Sequence, residues 1–486
     1  MNDMTQHLPL SIDYIRILPE LVLSGFGMLL MLLEPVLTGR RSARTLGYVA
    51  VLGSVSAFLA TVNQMQIPAG SAFWNMVRVD SFSIFFHVVV LVVAILTILA
   101  SFEYVEKQRL PAGEFYALIL FGTVGMALMS SAMELVLIFI ALEISSIATY
   151  VLAGLLRSDP KSSESSLKYF LLGSFATAFF LYGVAMVFGA TGSTSIAAIG
   201  QRLSYAPTPL LAYLSVALMF VGLGFKVGAA PFHVWTPDVY EGAPAPVVGF
   251  MSTAPKAAVF AVMLRVVFEA KLPGTFWLIW ALAALSMTIG NLGALRQMNI
   301  KRLLAYSSIA HAGYLLVAFA TTAQDGIPAV MFYTASYAAM NVGAFAVVSH
   351  FANTGERYVT LNDYAGLGRR SPFLAAVFTV FLLSLIGIPA TGGFFAKFYV
   401  FSAAVRSNLI GLTLIGVLNS AVAAYYYLRV VVAMYMKEPQ GEIPVERIPA
   451  SLGAVLILSL GATIWLGVLP GSVLGFAQRS AQYLLH

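Results

Sequence analysis

Long stretches of this chain contain almost nothing but apolar side chains, and they follow one another along nearly its whole length. A helix needs about 20 apolar residues to cross a bilayer, and any backbone immersed there must satisfy its own hydrogen bonds. Such runs lie at roughly 17–37, 45–65, 81–104, 114–131, 133–156, 167–190, 209–230, 245–268, 275–295, 302–322, 326–351, 372–404, 409–435 and 450–474. They predict an all-α, polytopic membrane protein of about 14 transmembrane helices. Only 10% of the 486 residues are charged, where a soluble domain carries roughly 25%. That shortfall leaves no room for a sizeable extramembrane domain.

The same composition excludes several chemistries. There is no cysteine, so this chain holds no disulfide, iron–sulfur cluster or thiolate metal site. The six histidines are scattered without ligand spacing on one helix, so neither haem nor metal is expected. The net charge of +6 comes from basic residues in short loops between spans, so nucleic acid is not an expected partner. The first residues lack a cationic start, a short apolar run and a small-residue cleavage site, so no cleaved signal peptide is expected.

The loops also set an orientation. Gly39–Arg44, Glu106–Arg109, Arg157–Lys161, Arg296–Arg302 and Gly355–Arg370 are rich in Arg and Lys. All fall on one side if the spans alternate, about fifteen Lys and Arg against about six on the other, and that side is expected to be cytoplasmic. Both termini then face outward.

Two spans are interrupted, the seventh by Gly228 and Pro231, the twelfth by Gly387, Pro389, Gly392 and Gly393. Proline removes a backbone donor, and broken helices survive in a membrane only where protein or a water-filled cavity surrounds them. Ser145-Ser146-Ile147-Ala148 with Tyr150 is echoed by Ser307-Ser308-Ile309-Ala310 with Tyr314. Both echoes are offset by about 160 residues, or five spans, and an odd shift inverts topology. The expected organisation is peripheral helices 1–3 over residues 1–112, a first repeat over 113–268 (helices 4–8), an inverted second repeat over 269–436 (helices 9–13) and a C-terminal helix 14 over 437–486. Helices 7 and 12 are the discontinuous ones.

A charge at mid-bilayer costs at least about 2.5–3.5 kcal/mol and needs a reason. Glu143, Lys226, Lys256, His311 and Lys397 all lie at such depths. A row of ionisable groups bridged by water is the chemistry of proton conduction. Each has a plainer reading. Glu143 and Lys226 could be a static ion pair joining two helices. Lys256 or Lys397 could be a cation bonded to free carbonyls at a helix break. His311 could be a neutral histidine bonded to a neighbour. Lys168, four residues after Glu164, reads first as a helix-surface pair and second as an auxiliary proton group. Glu20 and Glu34 read as interfacial, and Arg429 as snorkelling to a cytoplasmic end.

The motifs around these residues carry a resemblance. Gly224-Phe225-Lys226, Ala230-Pro231-Phe232-His233-Val234-Trp235-Thr236-Pro237-Asp238-Val239-Tyr240 and Gly242-Ala243-Pro244 resemble the signature of the antiporter-like subunits of respiratory complex I. So do Leu142-Glu143, Asn299-Ile300-Lys301-Arg302-Leu303-Leu304-Ala305-Tyr306-Ser307-Ser308, Gly387-Ile388-Pro389 and Gly393-Phe394-Phe395-Ala396-Lys397-Phe398. The family comprises three complex I subunits and the multisubunit sodium/proton antiporters. The chain stops without a long lateral helix, has lysine at 397 and carries Tyr425-Tyr426-Tyr427-Leu428-Arg429-Val430. In these it resembles the smallest complex I member.

The resemblance implies a proton-translocating subunit in a complex that passes electrons from NADH to quinone. FMN, iron–sulfur clusters and quinone would sit in partner subunits, with no cofactor in this chain. Its own partners would be the other membrane and peripheral subunits, the lipid bilayer, protons and water, in a bacterial inner membrane. Glu143 and Lys226 would form a first-repeat pair that acts as a switch, Lys256 a bridge and Lys397 the exit group. Protons would come in near Lys168, Lys226 and Lys256 and leave past His311 and Lys397. Two other readings remain: a subunit of a standalone sodium/proton antiporter, and a passive scaffold whose charges only fix helix packing. A carrier for an organic solute fits less well, because the midplane polar groups form a row. One outcome is open to direct test: the purified, isolated subunit should show no haem or iron–sulfur absorption band, and such a band would overturn the exclusion drawn from its cysteine and histidine content.

Overall fold

A computed structural model describes residues 11–37, 42–205, 210–352, 354–439 and 447–485. Residues Gly39 to Arg41 of the first basic loop lie outside the described residues. The chain opens with α1 (Ser11–Arg16), α2 (Leu18–Leu33) and α3 (Ser42–Gln64), followed by a hairpin of β1 (Gly70–Ala72) and β2 (Val77–Val79). Next come α4 (Ser81–Gln108), α5 (Ala112–Ser131), α6 (Leu135–Ala153), α7 (Pro160–Thr191), α8 (Ile196–Tyr205) and α9 (Leu210–Val227). The middle of the chain forms α10 (Trp235–Gly242), α11 (Ala245–Met251), α12 (Ala254–Leu264) with a wider turn over Arg265–Glu269, α13 (Thr275–Ala294), α14 (Ile300–Phe319) and α15 (Ala323–Ala352). It closes with α16 (Leu367–Arg370), α17 (Pro372–Ile386), α18 (Gly392–Arg406), α19 (Ile410–Met436), α20 (Ala450–Val468) and α21 (Gly471–Leu485). Twelve helical segments among the described residues, counting Ala245–Glu269 as one, are long and apolar enough to cross a bilayer; α2 and α17 are shorter apolar helices.

Local chemistry explains where several helices begin. Asp80 precedes α4, and its side chain accepts from Ser83 N at 2.8 Å while the Ser83 hydroxyl accepts from Asp80 N at 3.0 Å, a reciprocal capping box. Asp159 precedes Pro160 at the start of α7, and the Asn299 side chain accepts from Arg302 N at 3.2 Å at the start of α14. The Glu34 carboxylate accepts from Gly113 N at 2.9 Å and Glu114 N at 3.2 Å, so it caps α5.

The two expected interruptions are present. Helix α9 ends at Val227 and α10 begins at Trp235; α17 ends at Ile386 and α18 begins at Gly392. A further interruption was not expected: Ser252 and Thr253 separate α11 from α12, just before Pro255. Glu20 also departs from expectation. It is 4% exposed, packed between α2 and α4 with its carboxylate 3.6 Å from the His87 imidazole. Its proximity to the end of an apolar run says nothing of which neighbour covers it.

All five basic segments gather at one end of the molecule. Arg44 pairs with Glu106 at 2.9 Å, and the Gln108 side chain accepts from Gly355 N at 3.3 Å. Glu356 pairs with Lys301, while Arg302 and Lys161 share Glu241 at 3.1 and 3.0 Å. Helix α15 runs through the middle, in contact with α4, α11, α14, α17, α18, α20 and α21.

Helices α13 and α14 approach through glycine. A Cβ at Gly290 would lie 2.9 Å from Tyr306 O, and one at Gly313 would lie 2.6 Å from Met287 N and 2.9 Å from Ala283 O. Lipid tails supply no hydrophobic drive between helices, so close backbone approach must provide the packing energy. Gly313→Leu should therefore force the pair apart at a cost of about 1–3 kcal/mol. Quantitative blotting of the assembled complex in membranes should show a several-fold loss, and unchanged levels would refute the close-contact account.

Candidate functional site

The three mid-span lysines all sit beside helix interruptions. Lys226 occupies the last turn of α9, where Gly228 takes φ +71° and the chain leaves the helix. The open backbone is tied back by side chains: Ala230 N donates to Ser286 Oγ at 2.8 Å, and Trp235 Nε1 donates to Phe225 O at 3.0 Å. Trp235 stacks on Tyr169 with ring centroids 4.4 Å apart and planes 9° from parallel. Lys226 Nζ donates to Ser146 Oγ at 2.9 Å, Tyr169 OH at 3.3 Å and Thr149 Oγ1 at 3.4 Å. It also lies 5.4 and 5.3 Å from the ring centroids of Tyr150 and Tyr169, within cation–π range.

Lys256 sits in the first turn of α12, after the Ser252–Thr253 interruption, and its Nζ donates to Ser308 Oγ at 2.6 Å and Ser308 O at 3.1 Å. The same ammonium faces the α9 break: a Cβ on Gly228 would lie 3.6 Å from Lys256 Nζ and 2.9 Å from Thr236 Oγ1. Lys397 lies in the second turn of α18. Helical side chains lean toward their own N-terminus, so this one reaches back to the break. There its Nζ donates to Ile386 O at 2.8 Å and Ser420 Oγ at 2.9 Å. Ile386 ends α17, where carbonyls lack helical partners and the dipole favours a cation.

His311 links the last two lysines. Its Nδ1 is 2.7 Å from Tyr333 OH, its Nε2 is 3.5 Å from Tyr427 OH, and its ring lies 5.1 Å from that of Tyr337. Tyr337 OH donates to Ser308 Oγ at 2.9 Å, the hydroxyl that also receives Lys256. On the other flank the Tyr314 ring lies 5.7 Å from His311, and Lys397 Nζ stands 4.6 Å over it. The order is therefore Lys256, Ser308, Tyr337, His311, Tyr314, Lys397. All four ionisable groups, Lys226, Lys256, His311 and Lys397, are at most 6% exposed. Between Lys226 and Lys256 the buried hydroxyls of Thr236 and Tyr240 have no hydrogen-bond partner in the protein. An open cleft of about 580 Å³ borders Lys397, lined also by Phe394, Phe398, Phe401, Ser420 and, at the far end of α18, Arg406.

Two expected members stand apart from this file. Glu143 makes no ion pair with Lys226 within 4 Å. It sits one helical turn from Ser146 on a face of α6 shared with exposed Ile140 and Ile147, and its Oε1 has no partner. The static-pair reading therefore does not describe this structure: Lys226 takes the hydroxyls on the adjacent turn instead. Lys168 pairs with Glu164 as expected and also with Asp238, each at 2.7 Å, at the basic end of the molecule. Asp238 in turn receives Arg302 at 2.6 Å.

The sequence reading gave no role to the hydroxyls of Ser146, Thr149, Tyr169, Tyr333, Tyr337, Tyr427 and Ser420, although Ser146 falls in the internal repeat and Tyr427 in a family motif. For the others the only signal in the sequence is polarity inside apolar runs, which serine and threonine also satisfy by bonding their own helix, as Thr334 does to Val330 O at 2.7 Å. The geometry at the first break makes a test. An alanine at Gly228 must hold a left-handed backbone and press on Thr236, at a cost of about 1–3 kcal/mol. Gly228→Ala should lower the thermal midpoint of the purified complex, while Gly411→Ala, with nothing within 4 Å of the added methyl, should not. Equal midpoints would refute the requirement for glycine.

Comparison with known proteins follows the same outline. The family described as "NADH:quinone oxidoreductase/Mrp antiporter, TM" matches residues 132–423. The chain is 62% identical over 482 residues to NADH-quinone oxidoreductase subunit N 2 of Koribacter versatilis, covering 98% of each. It is similar, at 38% identity and TM-score 0.82, to a chain of respiratory complex I from Thermus thermophilus, covering 95% of this chain and 99% of that one. A chain of the Mrp complex from a Dietzia species shares the fold at TM-score 0.84 and 20% identity, covering 97% of each.

Proposed function

The chain belongs to the subunit N family of NADH-quinone oxidoreductases, and from that membership we propose how its buried groups move protons. It is a proton-translocating membrane subunit of that complex, an oxidoreductase coupled to translocation, and it works beside the other complex I subunits. The standalone-antiporter reading rests on a more distant relation, at 20% identity. This reading leaves electron transfer to the partner subunits; without cysteine this chain lacks the thiolate ligands of an iron–sulfur cluster.

The observation that carries the mechanism is the file of contacts from Lys256 to Lys397: hydrogen bonds through Ser308 to Tyr337, then ring contacts through His311 and Tyr314 to Lys397, along which water would carry the proton. A lysine ammonium holds a transferable proton, and hydroxyls both donate and accept. In this reading protons come from the basic, cytoplasmic end past Lys168 to Lys226. Water on the unpaired hydroxyls of Thr236 and Tyr240 bridges Lys226 to Lys256. His311 passes the proton on, and Lys397 releases it into its cleft toward the outer side. Glu143 acts on Lys226 across a gap, so a change in its position or charge biases Lys226 without a bond being broken. The basic end faces the cytoplasm of a bacterial inner membrane by the positive-inside rule, which puts both termini outside. The two interruptions at Val227 and Ile386 support inverted repeats over 113–268 and 269–436, with helices 1–3 and 14 outside them.

Lys226→Ala should leave the complex assembled yet cut proton pumping in membrane vesicles at least several-fold. Lys226→Arg should fail as well, because arginine keeps its proton near neutral pH. Wild-type pumping in both variants would sink the relay role.

A further inference from the structure

A second polar branch leaves Lys397, and beyond Tyr314 the relay makes no use of it. Ser420 receives Lys397 at 2.9 Å, and the same ammonium stands over the ring of Tyr314, whose hydroxyl accepts from Asn291. From Tyr314 the branch runs along the seam between α13 and α19. Asn291 Nδ2 donates to Tyr314 OH at 3.2 Å, Asn419 Oδ1 at 3.4 Å and Met287 O at 2.7 Å. Tyr426 OH donates to Asn291 Oδ1 at 3.0 Å, and Asn419 Nδ2 donates to Ile415 O at 2.9 Å and Thr288 Oγ1 at 3.4 Å. Asn291 lies one turn from the end of α13, and that end leads into the basic loop. There Arg429 donates to Leu295 O at 2.8 Å and to Gln297 O, closing the seam on carbonyls just beyond α13.

This branch points from Lys397 back toward the side from which protons come. A chain of hydroxyls and carboxylates there would return protons and waste the gradient. The groups at its centre are amides instead. An amide donates and accepts hydrogen bonds but has no proton to release or take near neutral pH. Both hydrogens and the oxygen of the fully buried Asn291 are engaged, and the Asn419 nitrogen is held on the facing helix. We propose that Asn291 and Asn419 form a proton-insulating seal, so that a proton arriving at Lys397 leaves through the cleft and not back along the α13–α19 seam. The seal rests on the relay reading of Lys397.

The test uses the whole complex in sealed vesicles. Asn291→Asp and Asn419→Asp each place a titratable group in the seam. Either should raise passive proton conductance several-fold, read with a pH-sensitive dye after an imposed pH step while quinone reduction is inhibited. The proton yield per NADH should fall while NADH oxidation continues. Adding Lys397→Ala should abolish the extra conductance. Asn291→Leu, which is similar in size and cannot titrate, should keep the wild-type proton yield. Wild-type conductance in the Asp variants, a leak that survives Lys397→Ala, or a loss of yield in Asn291→Leu would each overturn the seal. Normal pumping in Lys397→Ala alone would instead sink the relay on which it rests.

Discussion

Hydrocarbon offers no hydrogen bonds, and nearly every feature of this molecule follows from that. A backbone that leaves its helix inside the membrane exposes carbonyls and amides that cost several kcal/mol each if unpaired. A buried ammonium has the complementary problem, with three donors and no water. The structure brings the two together. Lys397 takes the last carbonyl of α17, and Lys256 takes a carbonyl and a hydroxyl of Ser308. At the first break the neighbouring side chains Ser286 and Trp235 tie down the free backbone, and Lys226 finds three hydroxyls close by.

Once breaks and lysines are placed, the rest of the packing must bring their partners within reach. Glycines let α13 and α14 approach to backbone contact. That approach fixes Ser308, His311 and Tyr314 against α15, α18 and α19, which supply Tyr333, Tyr337, Lys397, Ser420 and Tyr427. The ion-pair web at the basic end joins the ends of α4, α7, α10 and α14 through Glu106, Glu241, Asp238 and Glu356. Surface ion pairs contribute little individually, but the buried Lys301–Glu356 pair also holds Tyr104 and Ala245 N, so it fixes the start of α11 relative to α4.

The polar interior then divides by chemistry. Lysines, an imidazole and hydroxyls lie along the line from Lys256 to Lys397, and the carboxamides of Asn291 and Asn419 lie at the centre of the α13–α19 seam, with the hydroxyls of Tyr426 and Thr288 beside them. Asn291 is fully buried and Asn419 half-buried, and both amides are hydrogen-bonded. In the proposed relay and seal, the difference between a conducting line and a closed one is one of side-chain identity, hydroxyl and imidazole against carboxamide.

The sequence by itself determined the membrane class, the placement of the apolar helices, the two broken spans and the identity of the buried cations. Each of these is a local property: apolar length, proline and glycine position, or a charge inside an apolar run. It also carried the family resemblance in long motifs. What only the tertiary structure decided was pairing. Glu143 and Lys226 read alike as mid-span charges, yet Lys226 reaches a cluster of hydroxyls while a buried Glu143 oxygen has no hydrogen-bond partner. Glu20 read as interfacial and is buried against His87. Tyr337 and Asn291 gave no signal of their own, and Ser308 stood only within a repeated Ser-Ser motif that does not name its partners. A helix presents its side chains all round, and the order of residues along it does not say which neighbouring helix each face will meet. That depends on contacts between segments more than a hundred residues apart, such as Asn291 with Tyr426, and exists only when the helices have packed.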